Sequence, residues 1–437
     1  MPTHSASPAR QRVVGRIARL VAFVPLLTAV VLLALAGVHA QSKSIDLLLK
    51  GGHVIDPRNS ISAPMDVAIT GGRVSRIAVD IPASSATRVV DVRGLYVAPG
   101  FIDIHTHVFA GGNPGFADGS SSISPDNVTL RSGVTTVVDA GTSGWQNFPT
   151  FKAQVIDRSA TRVLAFLNIF PTGFSSGSAI APPLEDLDAT KTAEVVKQYP
   201  DVIVGTRIGH YSGSDWTVFD RAVEAARLSD AVLLVECHLR NFSLQDQLDH
   251  MRPGDILTHA FEQVSERMPV VDETGKVRPF VLAAQKRGIL FDVGHGGAGF
   301  WFSQAIPALA QGLAPTSFGT DLHRSSLVGG MKDMMNVMSK YLNMGMSLEE
   351  VIRRASWSAA TSIKREDLGN LSPGAVADIA VFRVAPGRFG FVDSGGYRLE
   401  GDRRIEPEMT LRAGRIVWDL NGLSAKPLDL EARTPGR

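Results

Sequence analysis

From residue 100 to residue 323 the sequence alternates short apolar runs with amphipathic stretches of helical periodicity. A strand buried on both faces of a parallel sheet is continuously apolar, and the helix after it covers one face of the sheet. Apolar residues recur at spacings of three and four in the helical stretches 188–199, 216–228, 300–311 and 331–344. The eight predicted strands are 100–108, 135–141, 162–170, 202–209, 231–238, 255–261, 289–294 and 317–323.

Eight strand–helix units over about 250 residues match the length and the repeat spacing of a (β/α)8 TIM barrel in the α/β class. An open, doubly wound sheet is the alternative, because periodicity alone does not show whether a sheet closes. In both architectures ligands bind beyond the carboxyl ends of the parallel strands. The predicted place of the functional site is therefore the same in either case.

The two ends of the chain have a different sequence pattern from the middle. Residues 45–97 contain short alternating strands broken by glycine turns, and two strand-like runs, 377–383 and 409–418, recur near the C-terminus. A chain of 437 residues is long enough for a large domain and a smaller companion. We predict a small β-sandwich domain formed from both terminal segments, 41–98 and 365–437, and a barrel domain at 99–364 between them.

The N-terminus resembles an export signal. Four arginines between residues 10 and 19 precede an apolar run at 20–36, and small residues follow as far as Ala40. This order predicts a signal peptide at 1–40 and a periplasmic or secreted protein. An uncleaved membrane anchor is the alternative, since the run is nearly long enough to span a bilayer.

The composition of the chain indicates which kinds of partner and which stabilising bonds to expect. The 44 basic and 43 acidic residues give a formal charge of +1, which argues against a nucleic-acid partner. A single cysteine, Cys237, excludes a disulfide within the chain, so packing or a bound metal must stabilise the fold. We expect a small-molecule substrate, no membrane association after signal cleavage, and a chain that is compatible with a homo-oligomer.

Residues suited to metal binding stand where the predicted strands end. His105 and His107 end the first strand, and residues i and i+2 of a strand point to the same side, so both imidazoles can reach one ion. Each histidine alone is better explained as a hydrogen-bonded structural residue, but their common position predicts a metal centre. The further candidate ligands are Glu236 and His238 after the fifth strand, His259 after the sixth and Asp321 after the eighth.

Several of these segments together resemble the amidohydrolase superfamily. The segments are Pro-Gly-Phe-Ile-Asp-Ile-His-Thr-His at 99–107, Thr-His at 258–259, Thr-Asp at 320–321 and Gly-Ala-Val-Ala-Asp-Ile at 374–379. Residues 291–296 and 330–334 are similar to the dihydroorotase-like amidohydrolase/deacetylase branch. The resemblance covers nearly everything after Ser44. It implies a barrel with a β-sandwich, one or two divalent ions, usually zinc, and hydrolysis of an amide or ester bond in a cyclic amide or an N-acyl or O-acyl compound.

The resemblance also implies roles for single residues. By position, His105, His107 and His259 match metal ligands, and Asp321 matches an aspartate that binds metal and acts as the general base. A zinc ion lowers the pKa of a bound water to about 7, which makes hydroxide available at neutral pH. Asp321 would take a proton from the attacking water and return it to the leaving group.

Two positions depart from the pattern of this branch. Where relatives carry a lysine that becomes carboxylated and bridges two metals, this chain has Arg207, whose guanidinium stays protonated and cannot form a carbamate. Its charge disfavours a second metal unless it points away or pairs with an anion. The fifth-strand position is a histidine in many relatives. Here we favour Glu236 as the ligand, with His238 as the reserve candidate.

Candidates for substrate contact are His295, His210 and Arg324. His295 stands among glycines that let the backbone approach a ligand, and Arg324 could bind a substrate carboxylate through two hydrogen bonds. Two other functions stay open besides hydrolysis of an amide or ester. One is a non-catalytic relative that only binds a ligand, and the other is a metal-dependent deaminase of a heterocycle.

Overall fold

The computed structural model describes residues 44–110, 122–174, 181–236, 241–265 and 267–428. The signal peptide predicted at 1–40 and the reserve ligand His238 lie outside these residues and stay predictions. In the described ranges, none of the helices combines the length and apolar character needed to cross a bilayer.

The two terminal segments build one mixed sheet of eight strands. Its strands are β1 (Ile45–Asp56), β2 (Ile61–Thr70), β3 (Arg73–Ala78), β4 (Ala86–Asp91), β5 (Tyr96–Pro99), β13 (Ile379–Val392), β14 (Arg398–Arg412) and β15 (Arg415–Asp419). The order is β15-β14-β13-β5-β1-β2-β3, with β4 paired to β1. Antiparallel pairing of β5 with β13 joins the two ends of the chain. The shared β-region follows the prediction, whereas its packing as a two-layer sandwich stays a prediction.

The run predicted as one strand at 409–418 is divided in the structure. It contains the end of β14, a turn at Ala413 and Gly414, and most of β15. Both turn residues have positive φ, +49° and +76°, so the chain reverses there into an antiparallel hairpin.

The middle of the chain forms a curled parallel sheet of seven strands in sequence order. The strands are β6 (Phe101–Thr106), β7 (Val134–Gly144), β8 (Arg162–Asn168), β9 (Ile203–Ile208), β10 (Val232–Glu236), β11 (Ile256–Thr258) and β12 (Leu290–Phe291). Side chains such as Ile104, Val138, Leu164, Phe166 and Leu234 pack as one buried cluster. Each strand overlaps a predicted one, and the carboxyl ends lie along one edge.

The predicted eighth strand, 317–323, is not regular. It makes isolated parallel bridges, Ser317 to Asp292 and Leu322 to Thr106, and so reaches both edges of the sheet. Asp321 has a φ of +50°, which interrupts extended geometry between the two bridges. The segment is therefore a hydrogen-bonded connection and not the uniform strand that its apolar pattern predicts.

Helices lie between the strands of the parallel sheet and after its last strand. They are α1 (Phe148–Phe151), α2 (Ala189–Gln198), α3 (Thr217–Leu228), α4 (Leu244–His250), α5 (Pro279–Arg287), α6 (Phe302–Ala310), α7 (Met334–Asn343), α8 (Leu348–Ala355) and α9 (Trp357–Ser362). The four predicted helices are α2, α3, α6 and α7. Asp188 and Asp333 cap α2 and α7 by accepting hydrogen bonds from backbone N–H groups in the first turn.

Candidate metal centre

Three predicted ligands meet at the carboxyl edge of the parallel sheet. His107 Nε2 lies 3.2 Å from Asp321 Oδ1, and His105 Nε2 lies 3.6 Å from the same oxygen. The ligand atoms of these three residues all lie within 4.8 Å of one another. His105 Nε2 is buried without a hydrogen-bond partner among the described residues. Two imidazoles and a carboxylate in this arrangement suit a divalent ion such as zinc.

Two threonine hydroxyls fix how the imidazoles face this centre. Thr258 Oγ1 lies 2.8 Å from His105 Nδ1 and donates its own hydrogen to Asp292 Oδ2 at 2.8 Å. The hydroxyl must therefore accept from His105, so Nδ1 carries the hydrogen and Nε2 keeps a lone pair.

His107 is oriented by a second chain of hydrogen bonds of the same kind, a relay from imidazole to threonine hydroxyl to aspartate. Its Nδ1 lies 3.2 Å from Thr142 Oγ1, which donates to Asp139 Oδ2 at 2.8 Å. Both imidazoles thus present Nε2 lone pairs toward Asp321, the tautomer that metal binding requires. Sequence reasoning missed both relays, although a carboxylate inside an apolar strand, such as Asp139 in β7, is a signal that a buried partner exists.

Asp321 is held as a carboxylate. Burial raises its pKa, but the neighbouring His105 and the hydrogen bond with His323 outweigh that effect and hold the pKa well below its ordinary value. Its backbone is in the left-handed region, as are those of His259 and His210, with φ of +54° and +53°. Non-glycine residues are uncommon there and cluster at functional sites, which agrees with a functional origin for this geometry.

Glu236 and Arg207 form a buried ion pair beside the centre. Arg207 Nη2 contacts Glu236 Oε2, and the two residues are 0% and 2% exposed. The other carboxylate oxygen, Oε1, lies 2.7 Å from His210 Nε2 and 3.2 Å from His259 Nε2. Arg207 therefore pairs with an anion, which was one of the two outcomes considered for it.

The structure does not bring Glu236 and His259 into the same converging group as the other predicted ligands. His259 Nδ1 lies 2.5 Å from Gly294 O, and its Nε2 faces Glu236. Burial lowers the pKa of His259, but the bond to Glu236 and the charge of Asp321 raise it to about 9. In this arrangement His259 donates from both nitrogens. Its ring is still next to the centre, 5.0 Å from that of His105.

A cavity of about 300 Å³ opens beside the centre. His210 stacks on Phe174 in its wall, with ring centroids 3.9 Å apart, and His323 Nε2 lies 3.5 Å from Asp321 Oδ2. Sequence reasoning missed Phe174, which no motif marks. The lining residues are His107, Phe174, His210, Glu236, His259, Gly297, Ala298, Asp321, His323 and Ser325.

The three residues predicted to contact substrate have different positions. His210 lines the cavity. Arg324 is exposed, between the lining residues His323 and Ser325, but its own side chain is not part of the wall. His295 is fully buried, and its Nε2 lies 2.5 Å from Lys340 Nζ. His295 is not among the residues that line the cavity, and both of its ring nitrogens are already bonded, so its contact with substrate stays a prediction.

Known proteins similar to this chain share its fold and part of its sequence. Residues 88–167 and 303–406 match two models of the amidohydrolase family. A deacetylase of Agrobacterium fabrum is 30% identical over 361 residues, which cover 80% of this chain and 86% of that protein. A solved adenine deaminase is 27% identical with a TM-score of 0.78, covering 86% of this chain and 100% of that one.

A solved dihydroorotase is 28% identical with a TM-score of 0.75, covering 85% of this chain and 98% of that one. These matches extend over most of the chain. The chain therefore belongs to the amidohydrolase family and is a hydrolase that acts on carbon–nitrogen bonds.

Proposed function

We propose that the protein hydrolyses the carbon–nitrogen bond of a small N-acyl compound or cyclic amide, with one divalent ion, zinc, held by His105, His107 and Asp321. The convergence of these three side chains carries the proposal, since both imidazoles present Nε2 lone pairs to one ionised carboxylate. The deacetylase relative supports an N-acyl substrate. A bound divalent ion would lower the pKa of water and polarise the substrate carbonyl.

Asp321 is the proposed proton carrier. Oδ1 faces both imidazoles, whereas Oδ2 lies toward His323 at the cavity wall. Oδ2 would accept the proton of the attacking water and then donate it to the leaving nitrogen. His323, whose pKa is raised by its hydrogen bond to Asp321 against the effect of burial, would stabilise negative charge at this oxygen.

A single ion is proposed because Arg207 and Glu236 already neutralise each other in the adjacent space. A second cation there would compete with a buried guanidinium for the same carboxylate.

We also propose that the parallel sheet closes into the (β/α)8 barrel through residues 317–322. Backbone hydrogen bonds from Val293 to Ser317 and from His107 to Leu322 support closure. In such a barrel the site lies at the carboxyl ends of the strands.

Deamination of a heterocycle is the second candidate. The adenine deaminase neighbour supports it, and so does the stacked His210–Phe174 pair, which offers a flat face to a planar ring.

Metal content and a substrate screen test the proposed function. Purified protein should contain about one zinc per chain and lose activity on chelation. Screening N-acetyl amino acids, cyclic imides, simple acyl esters and adenine then separates the candidates. Release of acetate or ring opening supports the proposal, and ammonia release from adenine alone overturns it in favour of deamination.

The role of Asp321 is tested by Asp321→Asn. The amide cannot accept the proton, so kcat should fall by about 10²- to 10⁴-fold while the thermal midpoint stays near that of the wild type. Asp230→Asn is the matched control, because its fully exposed carboxylate makes only a surface ion pair. An Asp321→Asn enzyme with unchanged kcat would remove Asp321 from the mechanism.

A further inference from the structure

Helix α7 carries a buried lysine, Lys340, which contacts His295 and does not line the cavity. Lys340 is 0% exposed, and its Nζ lies 2.5 Å from His295 Nε2 and 2.7 Å from Gly330 O. The amine also lies over the ring of Phe300, which stacks on His295 with centroids 4.8 Å apart. Lysine is almost never fully buried without a partner, so its partners indicate what it does.

The partners fix the tautomer of His295 and the direction of its bond with Lys340. His295 Nδ1 faces Gly296 O at 3.0 Å and must carry the hydrogen, because a carbonyl only accepts. Nε2 is then the acceptor, and Lys340 is the donor. Burial lowers the pKa of Lys340 to about 7. Since the neutral amine and the ammonium both have N–H groups, this hydrogen bond does not depend on the charge.

His295 belongs to the loop 294–298, which packs against the segment that carries Asp321. The His295 N–H donates to Gly319 O at 3.1 Å, and the Gly296 N–H donates to Thr320 O at 2.9 Å. Gly296 has a φ of +46° and lies so close to Asp321 Oδ2 that any side chain would collide with this oxygen. The next two residues, Gly297 and Ala298, line the cavity.

We propose that Lys340 is a positioning residue for hydrolysis: its amine, held by Gly330 O, holds the loop 294–298 through His295 and thereby sets Asp321 Oδ2 at the cavity wall. The inference rests on the proposed function of Asp321 in proton transfer. Lys340 itself touches neither the cavity nor the three residues of the metal centre. Its effect is therefore on the geometry of the carboxylate and not on substrate binding.

The test replaces Lys340 by Met, which keeps the length of the side chain and removes its donors. Loss of alignment should lower kcat by about 10- to 100-fold with KM within about threefold, as expected when a remote change displaces a reacting group. Lys340→Gln keeps N–H donors and should recover part of the lost kcat. Tyr341→Phe is the matched control on the same helix, because its buried hydroxyl has no hydrogen-bond partner among the described residues.

A second measurement does not need turnover. Wild-type protein and the variants are loaded with Co²⁺ alone, and the visible absorption reports the position of the carboxylate at the ion. Lys340→Met should bind one Co²⁺ with an altered spectrum, whereas Tyr341→Phe should match the wild type. An unchanged kcat and spectrum in Lys340→Met overturn the proposal, as does an equal loss in Tyr341→Phe. If the wild type hydrolyses no substrate, the proposed function fails, yet the spectra still decide the role of Lys340.

Discussion

Arg207 and Glu236 show how one charged pair organises a site. Arg207 stands where the family resemblance implies a lysine, and in the structure its charge is compensated by Glu236 on the neighbouring strand. The burial of a charged pair costs desolvation energy, which the mutual attraction must offset. Oε1 of Glu236 also holds His210 and His259 at the cavity. The pair thus links the fourth and fifth strands to two imidazoles of the site.

Removal of one member of this pair should be more harmful than removal of both charges. Arg207→Met leaves Glu236 as an uncompensated buried charge and should lower the free energy of unfolding by about 3–5 kcal/mol. Arg207→Met combined with Glu236→Gln should lower it less, because the amide needs no counter-charge. Urea unfolding of the two variants measures the difference. Equal losses in both would mean that the contact contributes through packing alone.

Residue types at strand ends could be predicted from the sequence, but the pairing of side chains could not. His105, His107 and Asp321 were expected together because strand alternation and parallel strand ends bring them to one edge. The separate bonding of Glu236, and of His295 with Lys340, depends on rotamers and on long-range contacts. Lys340 lies 45 residues beyond His295 in a helix that otherwise reads as core, so no local pattern marks it.

At the level of elements, the loop after β12 depends on glycine. Gly296 has positive φ and lies against Asp321, whereas a side chain on the neighbouring Gly297 would meet no atom within 4 Å. Substitution of each glycine in turn therefore distinguishes the effect of a steric collision from the effect of losing glycine's flexibility. Of these two positions, only Gly296 requires glycine, because the backbone there approaches the carboxylate.

Gly296→Ala should displace the Asp321 carboxylate and weaken metal binding. A β-carbon at this position would be strained by the backbone angle and would collide with Oδ2. The expected result is a lower metal content after dialysis and a lower kcat. Gly297→Ala, the matched control, should keep the metal content and the thermal midpoint of the wild type. Retention of metal by Gly296→Ala would show that the carboxylate can move without consequence.

Periodicity predicted regular elements well and irregular ones poorly. The strands and the helices α2, α3, α6 and α7 were found because their apolar spacing repeats over enough residues. Helix α4 has only seven residues, so a repeat of 3.6 has little length in which to appear, and α5, although as long as α6, buries only Val281 and Ala284. The segment 317–323 is predicted as a strand, but Asp321, a residue of the metal centre, has positive φ and interrupts it.

Across the whole molecule, one hairpin of the terminal sheet contacts the segment that follows the loop 294–298. The turn between β13 and β14 begins at Asp393, whose Oδ2 accepts a hydrogen bond from the Phe302 backbone at 3.0 Å. Ser394 and Phe300 exchange two further hydrogen bonds, of 2.8 and 3.2 Å. Since Phe300 stacks on His295, the terminal segments support the wall of the cavity as well as the β-region.

Asp393→Ala should therefore weaken both the fold and the reaction. Its carboxylate is buried and also accepts from the Gly395 and Tyr397 backbones, so its loss leaves several donors unsatisfied. The expected cost is about 1–3 kcal/mol in the free energy of unfolding, with a smaller fall in kcat than in Lys340→Met.

Asp402→Ala, on the same hairpin, is the control. Its side chain is 84% exposed and should change neither the free energy of unfolding nor kcat. A stability loss in Asp393→Ala without any change in kcat would mean that the hairpin supports the fold alone. An equal loss in both variants would instead indicate that the hairpin as a whole is sensitive to shortened side chains. Only a fall in both quantities that is confined to Asp393→Ala places the terminal sheet in the support of the cavity wall.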